Sequence, residues 1–520
     1  MPFQIIEYSK ENLIGVLAEI ARTPKHFIEK KQHSEYFDNY FRTLNAQTFI
    51  VESDYIDYDF LADYASYYAR CFFNYGRKCS RLHFFNSKIT YDEFNKILKS
   101  ADKTEFLPLN ESYLGFIVVK PLPQTVIGRT CLKTYPPEAA RVYPTTRFYE
   151  ANLFGIPLRV ETLAYQEQDS VAAACATSAL WSAFHGTGKL FQHTIPSPIE
   201  ITKSATQNFL AEMRSLPNKG LTLEQMAHAV KNIGLEPFKI GVSNLEWLKA
   251  SASGYMRAGV PVILAGHLAD TSVTPSEHMG GHAVAITGYR TDDNGLKPWP
   301  GTSFHLKSAK ISKLYVHDDQ IGPFAKMDFD GKNVSINNVT YSSMWSSWKG
   351  KNGRGKIGDG RIIPEAVLIP LYNKIRIPYE VIFHTIFDFD GYISMQRSKN
   401  LLPINDILEW DIFLSQINDF KDEVFNSPFI SENLRIEILT EKMPRYIWRA
   451  QASVNNAKVI ELLFDATDIE QGNMLFKVLN LHDDLYSYLI GLSKDDAYKS
   501  SILGNPSYAI FDWLSKQDIP

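Results

Sequence analysis

Cysteine is scarce in this sequence of 520 residues, which contains only Cys71, Cys79, Cys131 and Cys175. No two of them have the CxxC spacing of a zinc or redox motif, and four cysteines are too few for a disulfide framework in a chain of this length. We therefore expect neither a structural zinc site nor a disulfide scaffold. The same scarcity fits a reducing, cytoplasmic location.

Long apolar runs and blocks of like charge are also missing. No stretch reaches the roughly 18 to 20 apolar residues that a membrane span requires, and the first residues lack the basic and apolar regions of a signal peptide. Lysine and arginine number 54 against 58 acidic residues, which gives a net charge of −4. No basic block is present to follow a phosphate backbone. We expect no membrane segment and no nucleic-acid partner.

The chain is long enough for two or three domains, and its composition, 45% hydrophobic, is that of a globular protein. The patterns predict an N-terminal α/β region at 1–150, a central α+β unit at 151–375 and a mostly helical C-terminal region at 376–520. Helices are predicted at 404–420 and 457–464. Residues 445–452 and 459–465 could instead be strands of a small sheet.

One segment places a cysteine at the start of a predicted helix. Residues 165–181 pass from a polar loop, through Asp169 and Ser170 that could cap a helix, into an Ala-rich run containing Cys175. A thiol near a helix N-terminus lies at the positive end of the helix dipole, which favours the nucleophilic thiolate. The small residues could also serve close packing alone, because a buried cysteine behaves as a small apolar residue.

A histidine begins a predicted central strand. Residues 280–289 are apolar on both faces, and His282 follows two glycines at their start. A histidine in this position could present a general base to a nucleophile. His278 is the other candidate, but it lies in a loop predicted at 267–278. We favour His282, because a strand fixes the direction of its side chain.

Two carboxylates end a further predicted strand, which begins at residue 313. Asp318 or Asp319 could orient an imidazole through its second nitrogen. If the strand continued through both, they would point to opposite faces, so only one could reach the ring. His278, His282, His317 and Asp318 could alternatively bind a metal, but their spacing matches no standard zinc pattern. We expect neither a metal nor another cofactor.

Taken together, these motifs resemble the papain-like cysteine peptidases, most closely the bacterial C39-like branch. The similarity covers residues 160–370. It includes a glutamine before a cysteine that opens a helix, a strand of the form His-Ala-Val-x-Ile-x-Gly-Tyr, and a strand that ends in aspartate. The family places its oxyanion-binding glutamine six residues before the cysteine. Gln168 lies seven before Cys175 and Gln166 nine before it, and a one-residue bulge in 171–174 would bring Gln168 into place.

The resemblance implies a papain-like core with an antiparallel sheet and a Cys-bearing helix. It implies that Cys175 is the nucleophile, His282 the base and Asp318 the orienting acid, with Gln168 binding the oxyanion. The implied activity is hydrolysis of peptide bonds in a protein or peptide substrate, through an acyl-thioester intermediate. The same residues could catalyse transpeptidation or deamidation, or the fold could be a non-catalytic binding module. The flanking regions, the 267–278 loop or residues 349–361 of the basic, Gly-rich segment 345–361 could restrain the site until a regulatory protein partner binds.

Overall fold

The computed structural model describes residues 3–100, 102–169, 174–207, 220–293, 295–428, 430–469, 474–495, 500 and 502–518. Helices and several largely antiparallel sheets make up an α+β protein, as predicted for the fold class at this level. Among the described residues, no helix is both long and apolar enough to cross a membrane.

The helices and strands are numbered in chain order. The helices are α1 (Lys10–Ala21), α2 (Lys25–Glu29), α3 (Gln32–Thr43), α4 (Tyr58–Ser66), α5 (Tyr91–Lys99), α6 (Leu107–Glu111), α7 (Cys175–Phe191), α8 (Pro198–Thr206), α9 (Leu223–Asn232), α10 (Leu245–Met256), α11 (Tyr379–Ser398), α12 (Ile417–Asn426), α13 (Glu432–Thr440), α14 (Asp483–Ser493) and α15 (Tyr508–Ser515). The strands are β1 (Phe3–Glu7), β2 (Thr48–Tyr55), β3 (Cys79–Phe85), β4 (Tyr113–Val119), β5 (Ile127–Leu132), β6 (Arg141–Val142), β7 (Arg147–Leu153), β8 (Ile156–Thr162), β9 (Glu236–Gly241), β10 (Val262–Asp270), β11 (Glu277–Thr291), β12 (His305–Leu306), β13 (Ile311–Asp318), β14 (Gly322–Asp328), β15 (Asn333–Ile336), β16 (Val339–Ser342), β17 (Met344–Trp345), β18 (Gly360–Leu371), β19 (Glu409–Gln416), β20 (Tyr446–Val454), β21 (Ala457–Asp465) and β22 (Leu475–Asn480).

The chain forms two compact units that differ from the three predicted domains. The first unit contains Met1–Val242, Gly259–Arg290 and Lys313–Pro370, and the second contains Ser243–Ala258, Thr291–Ser312 and Leu371–Pro520. No division between units occurs at the predicted limit of 150, because hydrogen bonds join residues on its two sides. Thr130 and Tyr165, for example, exchange backbone hydrogen bonds of 2.7 and 2.9 Å. The division after Pro370 lies close to the predicted limit at 375.

The N-terminal sheet is an antiparallel meander in the order β1-β2-β3-β4-β5. Helices α1 and α3 bury aromatic and aliphatic side chains in a core shared with the sheet strands, and the rings of Phe41 and Phe84 stack with centroids 4.1 Å apart. Thr90 and Glu93 form the capping box that starts α5.

The central sheet has the order β10-β11-β13-β14-β17-β18-β9, and β6 pairs with β11. Strand β18 also pairs with β10, so six of these strands form a closed ring. Strand β11 is buried from Ala283 to Tyr289, as predicted for a strand that is apolar on both faces. Helix α7 packs on this sheet and contributes Leu180, Trp181 and Phe184 to the same core as Ile263.

The second unit contains a five-stranded sheet in the order β12-β19-β20-β21-β22. The prediction of a helix at 404–420 was wrong, because β19 occupies Glu409–Gln416 and α12 begins only at Ile417. The alternative of strands at 445–452 and 459–465 is confirmed by β20 and β21. Asn455 and Asn456 connect them with φ values of 49° and 66°, the left-handed conformation that a two-residue hairpin turn requires. The prediction of a mostly helical region overlooked this hairpin signal.

Candidate active site

Cys175 is the first residue of α7, which has 17 residues. Its thiol is free and partly exposed. The first-turn N–H groups of a helix have no partner within the helix, so the thiol lies beside unsatisfied donors and the positive end of the dipole. Ala174 precedes the helix and provides no side-chain cap. Ser170 and most of the predicted bulge, 171–173, lie outside the described residues.

His282, on β11, lies between Cys175 and Asp318. Its Nε2 is 3.1 Å from Asp318 Oδ2, and both side chains are buried. Burial alone would lower the pKa of His282. The Asp318 carboxylate and the Cys175 side chain, each through charge and hydrogen bonding, outweigh burial and raise that pKa well above 6.5. Nδ1 is buried and makes no hydrogen bond of regular geometry to any described residue. It is thus the nitrogen left for the thiol.

Asp318 is the last residue of β13, the neighbour of β11 in the sheet. Its Oδ1 accepts hydrogen bonds from the backbone N–H of Gln320, at 2.9 Å, and of Ile321, at 3.2 Å. These two bonds fix one carboxylate oxygen and direct the other, Oδ2, at His282. The structure therefore brings together the cysteine, the histidine and the aspartate that the sequence singled out.

Asp319 is a second buried acid next to the same histidine. The strand ends at Asp318, so the condition under which the two aspartates would point to opposite faces of a strand is not met. One ligand atom each of His282, Asp318 and Asp319 lies within 4.8 Å of the others. Both carboxylate oxygens of Asp319 are buried and lack a hydrogen-bond partner among the described residues. Burial, supported by the nearby Asp318 charge, raises the pKa of Asp319 to about 7.

Two glutamines precede Cys175, and they differ in burial. Gln168 is partly exposed. Gln166 is 5% exposed, and its Nε2 has no hydrogen-bond partner within the described ranges. Asp169 occupies the position six residues before Cys175, and its carboxylate accepts hydrogen bonds of 2.8 and 2.6 Å from the Tyr68 hydroxyl. That position is therefore tied to the N-terminal region, and Gln166 and Gln168 are the amides available as donors.

His278, the alternative base, lies on the same strand as His282. The predicted loop at 267–278 is limited to 271–276 in the structure, because β10 extends to Asp270 and β11 begins at Glu277. His278 is exposed, and its Nε2 is 2.8 Å from His267 Nδ1. Nε2 of His267 is in turn 2.7 Å from Glu365. Burial and an acidic partner, rather than a strand position, thus distinguish His282 from His278.

Trp348 is a site residue that the sequence did not indicate. Its indole is 2% exposed and meets the His282 ring edge-on, with centroids 5.6 Å apart and planes at 89°. It therefore shields the imidazole from water. Segment 345–361, interpreted as a surface loop or lid, is buried at this point. Gly360 permits the contact, since a Cβ there would lie 2.6 Å from the Trp348 Cβ.

A metal site at this position would compete with hydrogen bonds that already exist. His282, Asp318 and Asp319 are the group with metal-ligand spacing in the part of the chain that the structure describes. However, His282 Nε2 and Asp318 Oδ2 bond to each other, and the backbone occupies Oδ1. His317, another predicted ligand, is bonded to the Leu163 carbonyl at 3.0 Å and to the Phe324 N–H at 3.1 Å. These contacts make His317 a structural residue.

Comparison of the chain with protein-family models and with curated proteins finds no match. The function is therefore argued from the geometry of Cys175, His282 and Asp318.

Proposed function

We propose that this protein is a cysteine peptidase with a papain-like core of the C39-like type, in which Cys175, His282 and Asp318 form the catalytic triad. The observation that carries the proposal is the position of the His282 imidazole. The imidazole bonds to a buried carboxylate, that of Asp318, through Nε2. Its other side-chain hydrogen-bonding partner is the thiol of Cys175.

The surrounding elements favour this chemistry over a packing role for the cysteine. A structural cysteine is usually buried among apolar groups, as are Cys79 and Cys131, whose pKa values burial raises. Cys175 is partly exposed at a helix N-terminus and lies beside a histidine that holds its proton. Such surroundings suit a nucleophile and not a residue that only fills space in a core.

In the proposed mechanism, the Cys175 thiolate attacks the carbonyl carbon of the scissile peptide bond. The imidazolium of His282 then donates its proton to the leaving amine, and the C–N bond breaks to leave an acyl-thioester on Cys175. Neutral His282 next removes a proton from water, which attacks the thioester. The C–S bond breaks, the carboxylic acid is released, and the Cys175 thiolate and the His282 imidazolium are regenerated. Asp318 keeps the imidazole oriented and stabilises its charged form.

The negative oxygen of each tetrahedral intermediate needs hydrogen-bond donors. The backbone N–H of Cys175, in the first turn of α7, is one of them in this proposal. The side-chain amide of Gln168 or of Gln166 is the second. Such donors are effective because they are already in place when the charge develops.

The experiment that tests this function compares two partly exposed cysteines, Cys175 and Cys71. Iodoacetamide labelling at neutral pH, read by mass spectrometry, should modify Cys175 much faster, because only Cys175 is paired with a histidine in the proposed site. His282→Ala should abolish the difference. The labelled protein should also lose cleavage of peptides in a protein-derived mixture, whereas Cys71→Ser should retain it. Equal labelling rates in the wild type, or cleavage that persists in Cys175→Ala, would contradict the proposal.

A further inference from the structure

Three consecutive residues of the N-terminal region, Lys31, Gln32 and His33, touch three separate segments around the candidate site. Lys31 immediately precedes α3, and Gln32 and His33 are the first two residues of that helix. The segments that they reach are the loop before Cys175, the turn that follows Asp318, and the residue before Trp348. Nothing in the sequence indicates these contacts, which join residues 132 to 315 positions apart.

His33 holds the turn that contains Asp318 and Asp319. Its Nε2 is 3.0 Å from the Asp319 carbonyl and 3.1 Å from the Tyr165 hydroxyl. Burial lowers the pKa of His33, so the ring is neutral near pH 7. Because a carbonyl only accepts hydrogen bonds, the proton of the neutral ring lies on Nε2. A buried donor thus fixes the backbone one residue after Asp318.

Lys31 holds the loop before Cys175 through Glu167. The Lys31 ammonium donates to Glu167 Oε1, and Glu167 Oε2 accepts a hydrogen bond of 3.1 Å from the Ile127 N–H. Glu167 lies between Gln166 and Gln168, so this pair fixes the backbone that carries both possible oxyanion donors. The Glu167 side chain is only 6% exposed, and loss of its cation would leave a buried charge uncompensated.

Gln32 holds the segment that covers His282. Its side-chain amide donates to the Ser347 carbonyl, and the next residue is Trp348, whose indole lies against the His282 ring. The bond therefore fixes the backbone from which this shielding side chain projects.

We propose that residues 31–33 are a positioning clamp for the catalytic triad, with His33 as the residue that keeps the Asp318 turn in register with His282. The proposal rests on the function proposed above and adds a role for the N-terminal region. That region is then an integral part of the catalytic unit and not a detachable regulator. Misplacement of a catalytic group by about 1 Å can cost on the order of 10²-fold in rate.

The test uses the full-length protein and needs no known substrate. The rate constant for alkylation of Cys175 by iodoacetamide is measured from pH 4 to 11. A thiolate–imidazolium pair gives a fast plateau whose alkaline limb reports deprotonation of His282. His33→Ala should lower the plateau rate by about 10-fold and move this limb to lower pH, because a displaced Asp318 stabilises the imidazolium less.

Two variants separate positioning from general stability. His33→Gln retains a donor at the distance of Nε2 and should restore the limb and the rate to within about 2-fold of the wild type. His26→Ala removes an exposed histidine of α2 and should leave both unchanged. Thermal unfolding of each variant shows whether it folds. If His33→Ala does not fold, Gln32→Ala decides, since it changes no charge. It should move the limb in the same direction, because water that reaches His282 weakens the interactions with Asp318 and Cys175 that outweigh burial.

The outcomes distinguish the two proposals. A wild type without a plateau contradicts the proposed peptidase itself. A wild-type plateau with an unshifted limb in folded His33→Ala, or in Gln32→Ala when His33→Ala does not fold, overturns the clamp and leaves the peptidase standing. An equal shift in His26→Ala also overturns it.

Discussion

The two histidines of strand β11, His282 and His278, have opposite surroundings. His282 is buried between a carboxylate and a thiol, whereas His278, four residues earlier, is exposed and bonds to His267. Both have a strand position and a hydrogen-bonded partner. The difference lies in the dielectric environment: the interaction of His282 with Asp318 is excluded from water by burial and by Trp348, whereas the network of His278, His267 and Glu365 is open to solvent. Electrostatic interactions are several times stronger in the first environment.

The largest expected effect comes from removing the two groups that exchange the proton. Cys175→Ala and His282→Ala should each lower kcat for peptide cleavage on the order of 10⁴- to 10⁶-fold, because each disables the nucleophile. His278→Ala should change kcat by less than about 2-fold. Steady-state cleavage rates of a peptide selected with the wild type provide the measurement. A loss in His278→Ala as large as that in His282→Ala would reverse the assignment of the base.

The second largest effect is expected from Asp318, the acid that bonds to His282, in comparison with Glu365, the acid that bonds to His267. Asp318→Asn keeps the shape but removes the charge that stabilises the imidazolium, and we expect kcat to fall by about 10²- to 10⁴-fold. The alkaline limb of Cys175 alkylation should also move to lower pH, because the carboxylate is what raises the pKa of His282. Glu365→Gln, the matched change beside His267, should leave both measurements unchanged. An unshifted limb in Asp318→Asn would remove Asp318 from the triad.

Substitutions of the two glutamines before Cys175, Gln166 and Gln168, should have different effects on kcat in the same assay. Substitution of the true oxyanion donor by Ala should lower kcat by about 10²- to 10³-fold with little change in KM, because the bond forms only in the transition state. We expect this result for one of Gln168→Ala and Gln166→Ala, with the other variant as the control. If neither variant loses activity, the oxyanion is stabilised by other donors.

The smallest effect concerns Asp319, an acid that His278 lacks. With its pKa raised from 3.8 to about 7, folded Asp319 keeps a proton that the unfolded chain has released. The free energy of unfolding therefore falls as the pH rises through this interval. Asp319→Asn removes this dependence, and its Tm should match the wild type at pH 4 and exceed it by roughly 5 °C at pH 8. A Tm difference that is equal at both pH values would contradict the assignment.

The sequence predicted the parts of this site that local patterns encode. A helix beginning near Cys175, an apolar strand at His282 and a strand ending at Asp318 follow from periodicity and turn chemistry. The predicted cap Asp169 does not start the helix, because Ala174 precedes it and Asp169 accepts hydrogen bonds from Tyr68. Local patterns do not encode the environment of each of these groups. Trp348 and His33 reach the site through contacts between distant segments, and no local pattern signals them. His278 was placed in a loop because the sequence Ser-Glu-His-Met-Gly around it resembles a turn, although pairing with β10 makes it part of a strand.

The second unit shows a related limit. Residues 404–420 have apolar side chains at helical spacing, yet Glu409–Gln416 forms β19 because it pairs along its whole length with β20. Hydrogen bonding to a neighbouring strand outweighed a weak local preference for helix. The Asn455–Asn456 pair is a local signal of the hairpin between β20 and β21, and the prediction overlooked it.

The wide separation of the site residues has a consequence for biosynthesis. The ribosome synthesises Cys175 well before it synthesises the other residues of the site, which are His282, Asp318 and Trp348. Folding of the first unit cannot finish until β18, which ends at Leu371, has been made. In the mechanism proposed above, a growing chain therefore carries the nucleophile without its base and acid, and it cannot cleave peptide bonds before this strand has been made.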